Sequence, residues 1–193
     1  MDAGRRRRKL RRCAAASVVS LQSDKELERR IDLLEDERAI QALVHRYATL
    51  CDQRYAPDPL AELFTEDALW SSASPDGSLD FGTHQGREAI RELFQEVTAR
   101  IAQPTLHMMS SPEIHVAPDR ESATGRWYAM VLLTMEEAPG QQAGVLMLGA
   151  TYAHDYRRVA GVWRFSRVAA TLEFHLPVGA GVIPAVRAHS QDR

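Results

Sequence analysis

The sequence predicts an α+β fold in which helices cover one face of a twisted antiparallel sheet. Three observations predict it. Apolar residues recur with a helical period over residues 24–52 and again over residues 87–101. From residue 105 onward the period changes to two, because successive side chains of a strand point to opposite faces. Helices and strands therefore occupy separate parts of the chain, which is typical of the α+β class.

The first predicted element is one long helix over residues 24–52. Charged residues separate its apolar positions, which keep a near-helical period: Leu27, Ile31, Leu34, Ile40, Leu43, Val44, Tyr47 and Cys51. Ser23 or Asp24 is suited to cap its start. The prolines of segment 55–59 end it, because a proline ring disfavours a continuing helix.

Shorter elements follow before the main sheet. A short helix is predicted over residues 60–64, and a first strand over residues 67–72. Residues 73–80 are rich in Gly, Ser, Pro and Asp, which predicts a loop. Gly86 precedes the third helix, over residues 87–101, whose buried face is marked by spaced apolar residues.

Four long strands complete the predicted sheet. Their ranges are 105–116, 122–136, 144–158 and 162–174, and short turns that favour antiparallel hairpins separate them. Strict alternation along the first of these strands places His107 and His115 on one face. In the second, Trp127, Ala129, Val131 and Leu133 share a face.

The charges divide the chain into a basic head and an acidic remainder. Residues 1–12 carry seven cations and one acid, so the formal net charge of −2 becomes −8 for residues 13–193. We expect a disordered basic extension over residues 1–22, a folded domain over residues 23–176 and a loose tail over residues 177–193. The acidic domain argues against a nucleic-acid surface on it, although the basic head leaves an arm for nucleic acid open.

Cysteine content and hydropathy indicate where in the cell the protein is expected. Cys13 and Cys51 are too few for a disulfide framework, which favours a reducing, cytoplasmic location. The sequence contains no apolar run near the ~20 residues that span a bilayer, so no membrane partner is expected for the domain, although the basic head leaves an arm for a membrane surface open. It also contains no phosphate loop, no zinc-type Cys/His cluster and no nucleophile-elbow motif. We therefore expect neither a metal nor an organic cofactor.

Three residues are candidates for catalysis. Asp52 ends the long helix, where the negative end of the helix dipole disfavours a carboxylate. His107 lies among apolar residues early in a strand, and an imidazole paired with a carboxylate can remove a proton next to a carbonyl. Tyr47 can donate a hydrogen bond to the oxygen on which charge develops. Each also has an ordinary alternative: a solvated helix end, a packed core histidine and a core tyrosine.

Five further residues are candidates for the wall of a ligand pocket. They are aromatic, imidazole or thioether side chains in the predicted sheet: Met109, Trp127, Tyr128, Tyr152 and His154. Aromatic rings and methionines also fill ordinary cores, so the sequence leaves core packing as the alternative for each of them.

Six segments in this order resemble the SnoaL-like family of the nuclear transport factor 2-like superfamily. They are ERAIQALVHRYATLCDQR, LAELFTEDALW, GREAIRELF, LHMMSSPEIHV, SATGRWYAMVLL and YAHDYRRVAGVWRFSRV. The resemblance implies a cone-like α+β barrel, a curved antiparallel sheet wrapped by three helices, with a pocket in its mouth. The family includes polyketide cyclase-like, scytalone dehydratase-like and bile-acid dehydratase-like enzymes. Several of these pair an Asp at the end of the first helix with a strand His, here Asp52 and His107, and Tyr47 matches a recurring tyrosine.

The resemblance implies a cofactor-independent lyase, isomerase or cyclase that acts on an apolar polycyclic, steroid-like or polyketide-like carbonyl compound. The dehydratases add a second acid or histidine on the next strand, whereas residues 126–133 contain no Asp, Glu or His. The alternative is therefore a non-catalytic module of the same fold that binds a ligand or a partner. We also expect a homodimer, because the outer face of such a sheet keeps apolar residues that a second copy can cover.

Overall fold

The computed structural model describes residues 3–101, 105–135 and 144–178, with side chains from Asp24 onward except that of Met135. These residues form three helices and six strands. The helices are α1 (Ala3–Asp52), α2 (Pro57–Ala61) and α3 (Arg87–Arg100). The strands are β1 (Phe64–Ala73), β2 (Asp80–Gln85), β3 (Leu106–Val116), β4 (Ser122–Met135), β5 (Gly144–Val159) and β6 (Val162–Val178).

The six strands form one sheet in the order β2-β1-β6-β5-β4-β3. The last four strands are joined as predicted, each antiparallel to the next. Two details of the prediction were wrong. β1 runs parallel to β6, so the sheet is mixed, and an additional strand, β2, begins at Asp80, the last residue of the predicted loop, and continues through residues that were assigned to no element. β2 was missed because it is short and follows the turn 74–79, whose composition hides the strand.

Helix α1 begins earlier than the apolar pattern indicated. It extends back to Ala3, through the segment predicted as a disordered extension, which is rich in the good helix formers Arg and Ala. Its apolar positions are not all buried, since Leu27, Ile31 and Leu34 are exposed and the buried stripe begins at Asp36 and Ile40. The boundary between extension and domain near residue 23 stays a prediction. The C-terminal tail lies outside the described residues from position 179 onward, and β6 reaches Val178.

A buried carboxylate fixes the middle of α1 to the sheet. Asp36 accepts hydrogen bonds from Arg120 Nε at 2.5 Å, from the Arg158 guanidinium and from Trp163 Nε1 at 3.2 Å. The Arg158 guanidinium also lies 4.7 Å from the Trp163 ring centroid. Two cations compensate the burial of this carboxylate, which would otherwise be strongly unfavourable. The network sets where the C-terminal end of α1 meets the sheet.

The core lies between the helices and one face of the sheet. Trp127, Ala129, Val131 and Leu133 of β4 are all buried, which confirms that they share the inner face. Alternation fails in β3, where the register shifts between Ser110 and Glu113 at Pro112, which cannot donate to the ladder. His107 therefore faces inward while His115 is exposed. The prediction that both histidines share one face was wrong for this reason.

The outer face of the sheet carries exposed apolar side chains. Met108, Met130, Gly149 and Phe174 are paired across four neighbouring strands. Exposed large apolar residues on the same sheet include Leu106, Met108, Tyr128, Phe174 and Leu176. This surface is the one on which the homodimer was predicted, and the homodimer stays a prediction.

Candidate active site

The inner face of the sheet, helix α1, the segment that follows it and helix α3 enclose an apolar cavity of about 50 Å³. Leu93, Phe94 and Val97 of α3 form one wall, and Val131 and Leu133 of β4 lie opposite. The polar residues in its lining are few and include no Lys, Arg, Asp or Glu: Tyr47, Tyr55, Trp70, Ser72, His107 and Tyr152. Such a cavity suits a mostly apolar small molecule with a few polar atoms.

Asp52 and His107 are in direct contact at this cavity. Asp52 Oδ1 lies 2.8 Å from His107 Nδ1 and accepts a second hydrogen bond, also 2.8 Å, from the His107 backbone N–H. These two hydrogen bonds, from the ring and the backbone of His107, offset the unfavourable interaction of the Asp52 carboxylate with the negative end of the α1 dipole. An ionised carboxylate only accepts hydrogen bonds, so Nδ1 carries the proton and the lone pair is on Nε2. The structure thus brings together the two residues predicted as a pair.

Tyr55 is the third member of this hydrogen-bonded chain. Its Oη lies 3.0 Å from His107 Nε2, and the two rings meet edge to face with centroids 5.5 Å apart. Because Nε2 holds the lone pair, the phenol donates this hydrogen bond. Sequence reasoning missed Tyr55, since it lies in the proline-rich segment that was assigned only the role of ending α1. Its position three residues after Asp52 was the one available signal.

Tyr47 lies in the cavity wall, although its hydrogen bond is with another residue. Trp70 Nε1 donates to Tyr47 Oη at 3.1 Å, and the tyrosine ring packs edge-on against Phe64, Phe94 and Phe165. Burial raises the pKa of the Tyr47 phenol well above its usual value, so the hydroxyl stays neutral. The structure therefore places Tyr47 beside the Asp52–His107 pair and not in contact with His107.

The five residues predicted as pocket wall are divided by the structure. Tyr152 lines the cavity, and burial raises the pKa of its phenol. Trp127 and His154 lie in the core outside the lining, where both contact the hydroxyl of Tyr156. Met109 packs against the core without lining the cavity. Tyr128 is half-exposed on the outer face, with the Arg126 guanidinium 5.3 Å from its ring centroid.

The described residues contain neither a cluster of metal ligands nor a membrane-spanning helix. Among the side chains described in the ranges 24–101, 105–134 and 144–178, no group of three or more His, Cys, Asp or Glu is arranged to hold a metal ion. Across the same ranges, no helix combines the length and apolar character needed to cross a membrane.

The sequence was compared with known families and proteins. A family described as SnoaL-like domain matches residues 32–169, inside the predicted domain 23–176. Hexachlorocyclohexane dehydrochlorinase 1 from Sphingobium indicum is 26% identical over 153 residues, which cover 79% of this chain and 90% of the relative. The gamma-hexachlorocyclohexane dehydrochlorinase from the same species is also 26% identical, with 79% and 89% covered.

Solved structures agree with this assignment at the level of the fold. A type 2 hexachlorocyclohexane dehydrochlorinase superposes with a TM-score of 0.67 and 22% identity, covering 81% of this chain and 99% of that protein. A type 3 enzyme from Novosphingobium barchaimii gives a TM-score of 0.64 and 24% identity, covering 79% and 95%. The six-stranded sheet with its three helices is thus the cone-shaped α+β fold of the nuclear transport factor 2-like superfamily. Since the family match spans most of the folded part, the chain belongs to the SnoaL-like domain family.

Proposed function

We propose that this protein is a cofactor-independent lyase in which Asp52 and His107 remove a proton from carbon in an apolar carbonyl compound. The observation that carries the proposal is the 2.8 Å contact between Asp52 Oδ1 and His107 Nδ1 at the wall of an apolar cavity. Isomerisation and ring closure begin with the same proton removal. Elimination is the outcome we favour, because the relatives named as dehydrochlorinases eliminate.

Each residue has a definite role in this chemistry. His107 Nε2 takes the proton, and the carboxylate of Asp52 holds the ring in the required tautomer and stabilises the imidazolium that forms. The His107 side chain is only 4% exposed, so little water weakens this attraction. Tyr47 stays a neutral donor in the same wall, suited to a hydrogen bond with a substrate oxygen on which negative charge develops.

The cavity defines the substrate class. Its lining carries tyrosine hydroxyls and no Lys or Arg, so it would pay a large desolvation cost for a charged substrate and gain no ion pair in return. A neutral, apolar ring compound with one or two oxygen atoms fits the lining. The apolar lining supports, as part of this proposal, the polycyclic, steroid-like or polyketide-like carbonyl compounds that the family resemblance implies.

One observation favours a second candidate function. Val131 and Leu133, the residues of β4 that line the cavity, are both apolar, so this strand supplies no acid or base. A ligand-binding module without turnover would have the same lining. The Asp52–His107 contact argues against this alternative, since simple binding of an apolar ligand does not call for a partly buried carboxylate–imidazole pair at the cavity wall.

The test compares the inner histidine with its neighbour on the same strand. His107→Gln and Asp52→Asn are expected to lower turnover by about 10²–10⁴-fold, as loss of a general base does. The matched controls are His115→Gln and Glu113→Gln, which break an exposed His–carboxylate contact of 3.2 Å on β3. Turnover is followed as chloride release from γ-hexachlorocyclohexane and as deuterium uptake by cyclic ketones in D₂O. If the inner variants keep the rates of the controls, the proposal is wrong.

A further inference from the structure

We propose that Tyr55 acts as the acid that works together with His107. Tyr55 gives its phenolic proton to an oxygen that leaves the substrate, and it regains a proton from His107 Nε2. The substrate is then a hydroxy-carbonyl compound and the reaction a dehydration. This inference rests on the proposed function, and it assigns a residue and a leaving group that the Asp52–His107 pair alone does not specify.

The contacts of Tyr55 carry the inference. Tyr55 lines the cavity, and its hydroxyl lies 3.0 Å from Nε2, the atom on which the abstracted proton arrives. Tyr47, in the same lining, accepts a hydrogen bond from Trp70 Nε1 at 3.1 Å, and the hydroxyl bonded to His107 Nε2 is that of Tyr55. Val131 and Leu133 on β4 offer no acid. Among the described lining residues, Tyr55 is therefore the group placed to exchange protons with both the base and a leaving oxygen.

The backbone around Tyr55 is held in an uncommon conformation. Arg54 and Tyr55 have φ values of 67° and 51°, in the left-handed region that side chains other than glycine rarely adopt. Each such residue costs on the order of 1–3 kcal/mol and persists when its surroundings fix it. Thr98 Oγ1 lies 2.8 Å from the Arg54 carbonyl oxygen and 3.0 Å from that of Tyr55. The tight turn brings the Tyr55 ring back over His107, just three residues after Asp52.

The proton transfers balance. The substrate C–H bond breaks as its proton goes to Nε2, and the C–O bond breaks with its electron pair leaving on oxygen. The Tyr55 proton joins that oxygen, which departs as water, while the Nε2 proton passes to Tyr55 Oη. A C=C bond forms, and His107 and Tyr55 return to their starting states. Because burial raises the pKa of the Tyr55 phenol well above its usual value, a free phenolate is disfavoured and the two transfers to and from Oη are coupled.

The same geometry explains how the base becomes available. With the ring proton on Nδ1 beside Asp52, the Tyr55 O–H is the donor of the 3.0 Å hydrogen bond to Nε2. A leaving oxygen in the cavity is a competing acceptor for this O–H, and turning toward it frees the lone pair for the substrate C–H. A substrate with a chloride leaving group needs no such proton, because chloride departs as a stable anion.

The experiment uses the full-length protein and two probes that differ in the leaving group: 3-hydroxycyclohexanone and 3-chlorocyclohexanone. Tyr55→Phe keeps the ring and removes the hydroxyl. We expect it to lower water elimination by about 10²–10⁴-fold while chloride elimination is retained, each followed as formation of the conjugated enone. Equal loss on both probes, or full retention on both, overturns the assignment of Tyr55.

A measurement on the protein without substrate gives a second test. The ¹⁵N resonance of His107 Nε2 should shift toward the value of a free lone pair in Tyr55→Phe, and an unchanged resonance contradicts the hydrogen-bonded chain. The outcomes also separate the two proposals. If His107→Gln is inactive on both probes while Tyr55→Phe still dehydrates, only the role of Tyr55 fails. If His107→Gln keeps both activities, the proposed function fails.

Discussion

Among the described residues, two inward-facing histidines of the sheet, His107 and His154, each contact a tyrosine hydroxyl, and their surroundings differ. His107 on β3 contacts Tyr55 at 3.0 Å and the carboxylate of Asp52 at 2.8 Å. His154 on β5 contacts Tyr156 at 2.9 Å and has no carboxylate partner. His107 lines the cavity, whereas His154 is fully buried outside it.

The difference shows what turns a buried histidine into a base. Around His154, Trp127 Nε1 donates to Tyr156 Oη, and that oxygen also lies 2.9 Å from His154 Nδ1, so the other ring nitrogen, Nε2, has to find a different partner. Within the described residues, that Nε2 atom has no hydrogen-bond partner. Burial lowers the pKa of His154 to about 3, so its charged form is disfavoured. Asp52 offers His107 a negative charge that stabilises the imidazolium, and the core offers His154 none.

The largest expected effect tests this difference directly. His107→Gln should lose about 10²–10⁴-fold in turnover, whereas His154→Gln should leave the turnover of the folded protein essentially unchanged. The reason is that only His107 has both a carboxylate partner and access to the cavity. Steady-state kinetics on the same probe substrates, corrected for the folded fraction, checks the pair. An equal loss of turnover in the two variants would mean that the carboxylate does not distinguish the histidines.

The second prediction concerns acid stability. His154 has a folded-state pKa of about 3, below the usual 6.5, so between these values the unfolded chain binds a proton that the folded chain does not. Its contribution to the stability is therefore complete above pH 6.5 and is lost as the pH falls toward 3. His154→Phe removes this loss. The free energy of unfolding should therefore fall less between pH 7.5 and pH 4 in the variant than in the wild type.

Urea unfolding at a series of pH values measures the effect. The matched control is His115→Phe, because His115 is exposed and should contribute no comparable loss. Parallel stability profiles for wild type and His154→Phe between pH 7.5 and 4 would show that the core does not disfavour the charged imidazole.

The sequence was enough to predict most of the fold, because the information for it is local. Alternation in β4 identified its buried face from Trp127 to Leu133, and proline placed the end of α1 close to Asp52. Local patterns failed where pairing partners decide the structure. The parallel contact between β1 and β6, the short strand β2 and the bulge at Pro112 depend on segments far apart in the chain.

The candidate site was predicted in part for the same reason. Asp52 and His107 were paired through the family resemblance, and the structure places them in contact. Tyr55 was missed because its position depends on two left-handed residues and on Thr98 of another helix, neither of which leaves a periodic signal. Trp127 and His154 were predicted as pocket wall because residue type and strand face do not reveal how deep in the core a side chain lies.

The smallest expected effect compares the two tyrosines that contact the histidines. Tyr156→Phe leaves Trp127 Nε1 and His154 Nδ1 without their common partner, and buried polar groups without partners cost about 1–3 kcal/mol. It should therefore lower the free energy of unfolding by about that amount and leave turnover unchanged, the reverse of Tyr55→Phe. Tyr128→Phe, at a half-exposed phenol, is the stability control. If Tyr156→Phe instead reduces turnover without loss of stability, the distinction between a catalytic Tyr55–His107 pair and a structural Tyr156–His154 pair is wrong.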